Sequence, residues 1–180
     1  MESVLILLNF VHSVQNLFRF CLKFLTTETT RQALETFWKT MSTEQNKALV
    51  RRFQVEMWKG NLAIIDELVA PETELAGVTR DQWKASVRES LELMPDLGFT
   101  IDEMIAEGDT VMFRWTMTGT LAKVMSTPYG PAQPTGKLIT ATGISIHRFE
   151  NGQIVEDRFE NSSLDYYTQL GVLPAPAPGS

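Results

Sequence analysis

The chain has 180 residues, 43% of them apolar and 21% charged, with a net charge of −6. That size and balance suit one globular domain with a real core and leave no room for a second. An acidic balance with no Lys/Arg cluster argues against nucleic acid as a partner, because neutralising phosphates needs a basic face. The single cysteine, Cys21, excludes an internal disulfide, and no Cys/His grouping has metal-site spacing, so no metal is expected and a reducing cytoplasmic setting is the default.

Residues 1–40 differ from the rest. Val4 to Leu25 is apolar but interrupted by Asn9, His12, Gln15, Asn16, Arg19 and Lys23, a poor match to the roughly 20 clean apolar residues that span a bilayer. Leu7, Val11, Val14, Phe18, Cys21 and Leu25 recur at helical steps, which predicts an amphipathic helix. Glu2 stands where a secretory leader carries positive charge, which argues against export. The expectation is an extension upstream of a domain that starts at Met41; a membrane-surface or partner-binding helix and a degenerate targeting peptide are the alternatives. Without it the charge is −7, from 12 Lys/Arg against 19 Asp/Glu.

Ser42 with Gln45 has the form of a capping box, and Leu49, Phe53 and Met57 then repeat every fourth residue, predicting a helix from Ser42 to about Trp58 that Gly60-Asn61 ends. Ile64, Ile65, Leu68 and Val69 give a second, shorter helix stopped before Pro71. Thr79 and Gln82 form another box, and Trp83, Val87, Leu91 and Met94 stripe a third helix up to Pro95. The period then changes from helical to alternating. Phe99, Ile101 and Met104 mark one strand and Val111, Phe113, Trp115 and Met117 the next, on either side of a Glu107-Gly108-Asp109 turn. Ser126 to Gly136, rich in proline and glycine, is expected to be a loop, and its Tyr129 to Thr135 part to lie over the mouth of a pocket. Leu138 to Phe149 and Ile154 to Glu160 form a hairpin about Asn151-Gly152, and Ser163 is expected to cap a last helix ended by Gly171. Helices first and antiparallel strands after is an α+β order. Residues 175–180 form a Pro/Ala/Gly-rich tail.

Several segments stand together in one order: Asn46 to Phe53, Asp66 to Pro71, Met94-Pro95-Asp96-Leu97, Gly108 to Trp115, Thr140 to Ile146, Asn151 to Glu156 and Gln169-Leu170-Gly171. In that order and spacing, residues 41–174 resemble the SnoaL-like polyketide and ester cyclase family, a branch of the nuclear transport factor 2-like superfamily. The resemblance implies a cone-shaped, curved antiparallel sheet packed against three N-terminal helices, an α+β barrel enclosing a pocket. It also implies a homodimer, and a pocket used without metal or cofactor, where a carboxylate serves as acid/base in an intramolecular aldol closure. Aligned through Asn151-Gly152 and Gln169-Leu170-Gly171, the family's carboxylate position falls on Phe159 and its histidine position on Ser145. A phenyl ring has no proton to exchange and an isolated serine is too weak a base at neutral pH, so this chain departs from the family where the chemistry sits.

The nearest replacements are Asp157 and His147. A three-residue loop of Glu150, Asn151 and Gly152 puts Ser145, His147, Asp157 and Phe159 on one face; a two-residue Asn151-Gly152 turn puts His147 opposite Asp157. The turn sequence suits both, and the resemblance favours the first, because the family needs the Ser145 and Phe159 positions on one wall. His147 and Asp157 are then the candidate catalytic pair, against the plainer reading of His147 as a strand-end residue in a surface hydrogen bond. Trp58, Trp83, Phe113, Trp115, Ser145 and Phe159 are the candidate pocket lining, against the plainer reading of the aromatics as core. Glu160 is expected on the opposite face, and Arg114 in a structural role. Two functions fit: a cofactor-independent cyclase or isomerase acting on a small hydrophobic molecule through carboxylate or His/Asp chemistry, or a non-catalytic ligand-binding or dimerisation module that has lost the cyclase residues.

Overall fold

The computed structural model describes residues 28–175, so the predicted amphipathic segment, Cys21 and nearly all of the tail lie outside the described residues. The chain divides into two compact units, Met1–Met41 and Ser42–Ser180, and the fold below is that of the second. In chain order the elements are α1 (Glu28–Trp58), α2 (Ala63–Leu68), α3 (Arg80–Leu93), β1 (Gly98–Glu107), β2 (Thr110–Thr120), β3 (Met125–Thr127), β4 (Gly130–Ala132), β5 (Leu138–Glu150), β6 (Gln153–Asn161) and α4 (Ser163–Gln169).

The first helix does not start at Ser42. No glycine or proline lies between Glu28 and Trp58, so nothing breaks the helix there and the Ser42–Gln45 box sits inside it. It stops where Gly60, at φ 89°, donates its N–H to the Met57 carbonyl, 2.9 Å away. Val50, Phe53 and Met57 form its buried stripe. The Arg52 guanidinium ties α1 to α2 by forking onto both Glu67 oxygens, at 2.6 and 2.7 Å. That bond holds the Glu67 carboxyl below its ordinary range and raises the guanidinium. At the start of α3 the capping box forms as predicted, Thr79 and Gln82 each accepting the other's backbone N–H.

Four antiparallel strands in the order β1-β2-β5-β6 make the sheet. Burial alternates along β5, with Ile139, Ala141, Ser145, His147 and Phe149 inward and Leu138, Thr142, Ile144, Ile146 and Glu150 outward. Each edge strand carries one bulge. Asp102 is passed over between the Ile101–Trp115 and Glu103–Arg114 pairs, and Val155 between the Phe149–Ile154 and Arg148–Glu156 pairs. An extra residue on an outer strand lengthens it and bends the ladder, so the pair of bulges fits the curve of the sheet. The main core lies on the inner face, where Val111, Phe113, Trp115, Phe149 and Ile154 meet the α1 stripe, Ile64, Ile65 and Leu68 of α2, and Val87 of α3. Burying each such side chain contributes roughly 1.5–3 kcal/mol.

Two local expectations are corrected. The proline-rich stretch is not a plain loop: Met125–Thr127 pairs with Gly130–Ala132, and Tyr129 at its tip packs edge-on against Tyr167 of α4, ring centroids 5.0 Å apart. Pro131 is tolerated because a two-stranded ribbon leaves outward N–H positions unused. Before α4 it is Ser162, not Ser163, that occupies the cap position, and its hydroxyl bonds Thr142 on β5 instead of capping the helix. Gln169 explains its own motif. Its side-chain amide accepts the Thr140 N–H at 2.9 Å and donates to the Thr140 carbonyl at 2.8 Å, so it completes the strand as a further rung would.

Candidate active site

The hairpin β5–β6 closes with a two-residue turn, Glu150 opposite Gln153, with Asn151 at φ 52° and Gly152 at φ 80°. Two consecutive positive φ values are the type I′ geometry that Asn-Gly favours. The expected three-residue loop is therefore absent. By itself this turn would put His147 and Asp157 on opposite faces, but the bulge at Val155 shifts the count by one and restores them to one face as direct cross-strand partners. Ser145 pairs with Phe159 two rungs further along, on the same face.

His147 Nε2 lies 3.0 Å from Asp157 Oδ1. The histidine is 2% exposed, so the surface reading of it is wrong, and the aspartate side chain is also deeply buried. Asp157 Oδ2 accepts the Ala76 N–H at 2.9 Å, from a tight loop in which Ala76 and Gly77 both have positive φ. Both carboxylate oxygens are thus held. Around the imidazole stand Phe113, Phe53 and Phe149, with ring centroids 5.1, 5.9 and 6.4 Å away and all edge-on. Its Nδ1 is buried and, among the described residues, has no hydrogen-bond partner. An unmet buried polar atom costs about 1–3 kcal/mol, and native proteins carry few of them. With Asp157 accepting at Nε2, the neutral ring keeps its lone pair at Nδ1.

The candidate lining residues take different places. Trp58, Phe99 and Trp115 form a continuous stack, each neighbour 5.7 Å away at 19° and 28°. Trp115 donates its Nε1–H to Ser145 Oγ at 3.0 Å, which fixes that hydroxyl beside the dyad's rung. Phe113 is buried against His147, Trp83 points its Nε1–H at Met57 Sδ, and Phe159 is partly exposed near the edge of the sheet. Glu160 pairs with Ile144 and faces outward, and Arg114 is exposed with Asp102 at 3.9 Å. A cleft of about 310 Å³ opens between α1 and β1, lined by Arg51, Gln54, Val55, Phe99, Ile101, Asp102, Glu103 and Met104. Of the pocket set proposed from sequence none lines it. Sequence reasoning also passed over Ala76, whose part is played by its backbone N–H, and Arg51 with Gln54, although their three-residue spacing beside the Phe53 stripe puts them on one flank of α1. Among the described residues no three His, Cys, Asp or Glu side chains gather as a metal site requires, and no helix is long and apolar enough to cross a membrane.

The sequence profile of SnoaL-like polyketide cyclases matches residues 48–170. Among solved structures, a protein from Acidithiobacillus ferrooxidans proposed to be a polyketide cyclase is similar with a TM-score of 0.61 at 24% identity, over 71% of this chain and 94% of that one. AclR from Streptomyces galilaeus, a proposed hydroxylase, gives 0.64 at 24% over 73% and 99%, and TsrD from Streptomyces laurentii 0.63 at 22% over 72% and 97%. At such identities these likenesses speak for the fold alone. No curated protein matches by sequence. A profile that spans most of the chain, on a curved antiparallel sheet closed by N-terminal helices, places it plainly: the chain belongs to the SnoaL-like polyketide cyclase family.

Proposed function

We propose that the chain is a cofactor-independent enzyme of cyclase or isomerase type, in which His147 and Asp157 move a proton on a small hydrophobic carbonyl compound. The reading rests on one observation, the buried dyad whose imidazole keeps an unpartnered Nδ1. In the family the acid/base positions correspond to Ser145 and Phe159. Here the ionisable pair stands two rungs away on the same face, about 6.6 Å along the strands. Nδ1 would take a proton from the carbon beside a carbonyl, leaving an enolate. The imidazolium so formed is stabilised by Asp157, which also fixes the ring's orientation. The enolate attacks a second carbonyl of the same molecule, one C–C bond forms, and the proton returns to the new alkoxide, so atoms balance with no oxidant. Phe53, Phe113 and Phe149 stand edge-on around the imidazole, so access to Nδ1 requires one of these rings to move aside.

The test is hydrogen–deuterium exchange at the α-carbon of a hydrophobic ketone such as 2-tetralone, followed by NMR in heavy water. Wild type should accelerate exchange, and Asp157→Asn, which keeps the shape and loses the charge, should lower that acceleration by about 10²–10⁴-fold. Equal exchange in the two proteins ends the acid–base reading.

A second reading, a dimerisation module, has its own support in the open outer face of the sheet, where Ile105, Ile144 and Ile146 are exposed. Contiguous apolar surface on a soluble domain marks a contact site. Size-exclusion chromatography with light scattering should then give twice the mass of one chain, and Ile144→Lys should return it to the monomer; a monomeric wild type removes this reading.

A further inference from the structure

The cleft between α1 and β1 has a chemistry of its own. Gln54 is only 6% exposed, and its orientation is set from below, because its Oε1 accepts the Trp58 Nε1–H at 3.1 Å. The amide NH₂ therefore faces away from Trp58, and among the described residues it has no partner. Arg51, one turn earlier on the same flank, makes no ion pair or hydrogen bond among the described residues either. The helix wall thus offers donors that no protein group among the described residues takes up. Val55, Phe99, Ile101 and Met104 supply an apolar floor. Of the two acids at the cleft, Asp102 is already engaged, accepting Thr116 Oγ1–H at 2.8 Å and lying 3.9 Å from Arg114. Glu103 also lines the cleft, and on the sheet it pairs in register with the outward Arg114.

We propose that this cleft binds a small carboxylate with an apolar body, the Arg51 guanidinium and the Gln54 amide holding the oxygens while the body lies on Phe99, Ile101 and Met104. A planar guanidinium fork suits a carboxylate, and about 310 Å³ reaches the lower end of small-molecule sites. The site is distinct from the dyad, neither residue of which lines it. One layer of side chains separates them: Met104 pairs with Phe113, whose ring packs on His147.

Isothermal titration calorimetry with octanoate and octan-1-ol tests it, since the two share an apolar body and differ in the carboxylate. Octanoate should bind the wild type, and Arg51→Gln should weaken it about tenfold or more while changing octan-1-ol by less than about twofold. Asp157→Asn should leave octanoate binding unchanged, so this site stands or falls apart from the proton-transfer reading. No octanoate binding, equal octanoate affinity in wild type and Arg51→Gln, or octan-1-ol binding as tightly as octanoate, would each overturn the proposal.

Discussion

Replacing Gly143 by alanine should cost about 3 kcal/mol of stability, more than almost any other single methyl added to this domain. The residue sits mid-strand on β5 with Trp115 as its partner on β2 and Asn161 on β6. A Cβ built there would lie 2.3 Å from Trp115 Cζ2 and 2.5 Å from the Glu160 carbonyl oxygen. The indole lies against the bare backbone of this glycine, which is why no side chain fits. The carbonyl cannot yield without breaking the β5–β6 ladder. The indole cannot yield without leaving Ser145 and the stack with Phe99 and Trp58. Gly152→Ala is the control, since Gly152 has a positive φ of 80° but nothing within 4 Å of the added methyl. It should lose only the backbone strain, roughly 1 kcal/mol. Thermal unfolding separates the two: a Tm drop of roughly 10 °C for Gly143→Ala against a few degrees for Gly152→Ala. Equal small drops would mean that the indole is not fixed on Gly143.

Gly143 also marks where reading a sequence stops. The alternation of β5 and β2 is written in their residues, so it was legible that Val111, Phe113 and Trp115 share one face and that Ser145 and His147 share one, as was the Thr79 cap, whereas which face turns inward was not. Which residue a tryptophan leans on is decided by packing across strands and has no local sign. The bulge at Val155 is a sharper case. Ile154 and Val155 look like any β-branched pair in a strand, yet one extra residue there decides whether His147 and Asp157 share a face. The expected face was right although the expected turn was not, because two one-residue differences cancelled. The third support of the dyad, the Ala76 N–H, comes from a loop more than seventy residues away in sequence, and a backbone donor leaves no trace in residue identity. The start of α1 failed for the opposite reason: a good local cap at Ser42 was overruled by the helix-compatible residues before it.

A double-mutant cycle on the dyad should give the other large effect. Asp157→Leu removes the acceptor of both His147 Nε2 and the Ala76 N–H, and leaves a buried imidazole with two unmet nitrogens. Its expected cost is about 3 kcal/mol. His147→Phe alone leaves the Asp157 carboxylate buried with the Ala76 N–H as its one remaining neighbour, and should cost a similar amount. Combined, the two changes put a phenyl ring among Phe53, Phe113 and Phe149 and a leucine beside it. They also erase the orphaned Nδ1 and the desolvated charge. The double variant should therefore recover to within about 1–2 kcal/mol of wild type, with a coupling energy of several kcal/mol between the sites. Denaturant unfolding of the four proteins measures it. A pair that apolar side chains replace so cheaply is not what holds the sheet to its helices, and its presence in an aromatic interior then calls for a use such as the proton transfer proposed above. If the losses instead simply add, so that the double variant is the least stable of the four, the dyad is a structural clasp and the catalytic reading loses its main support.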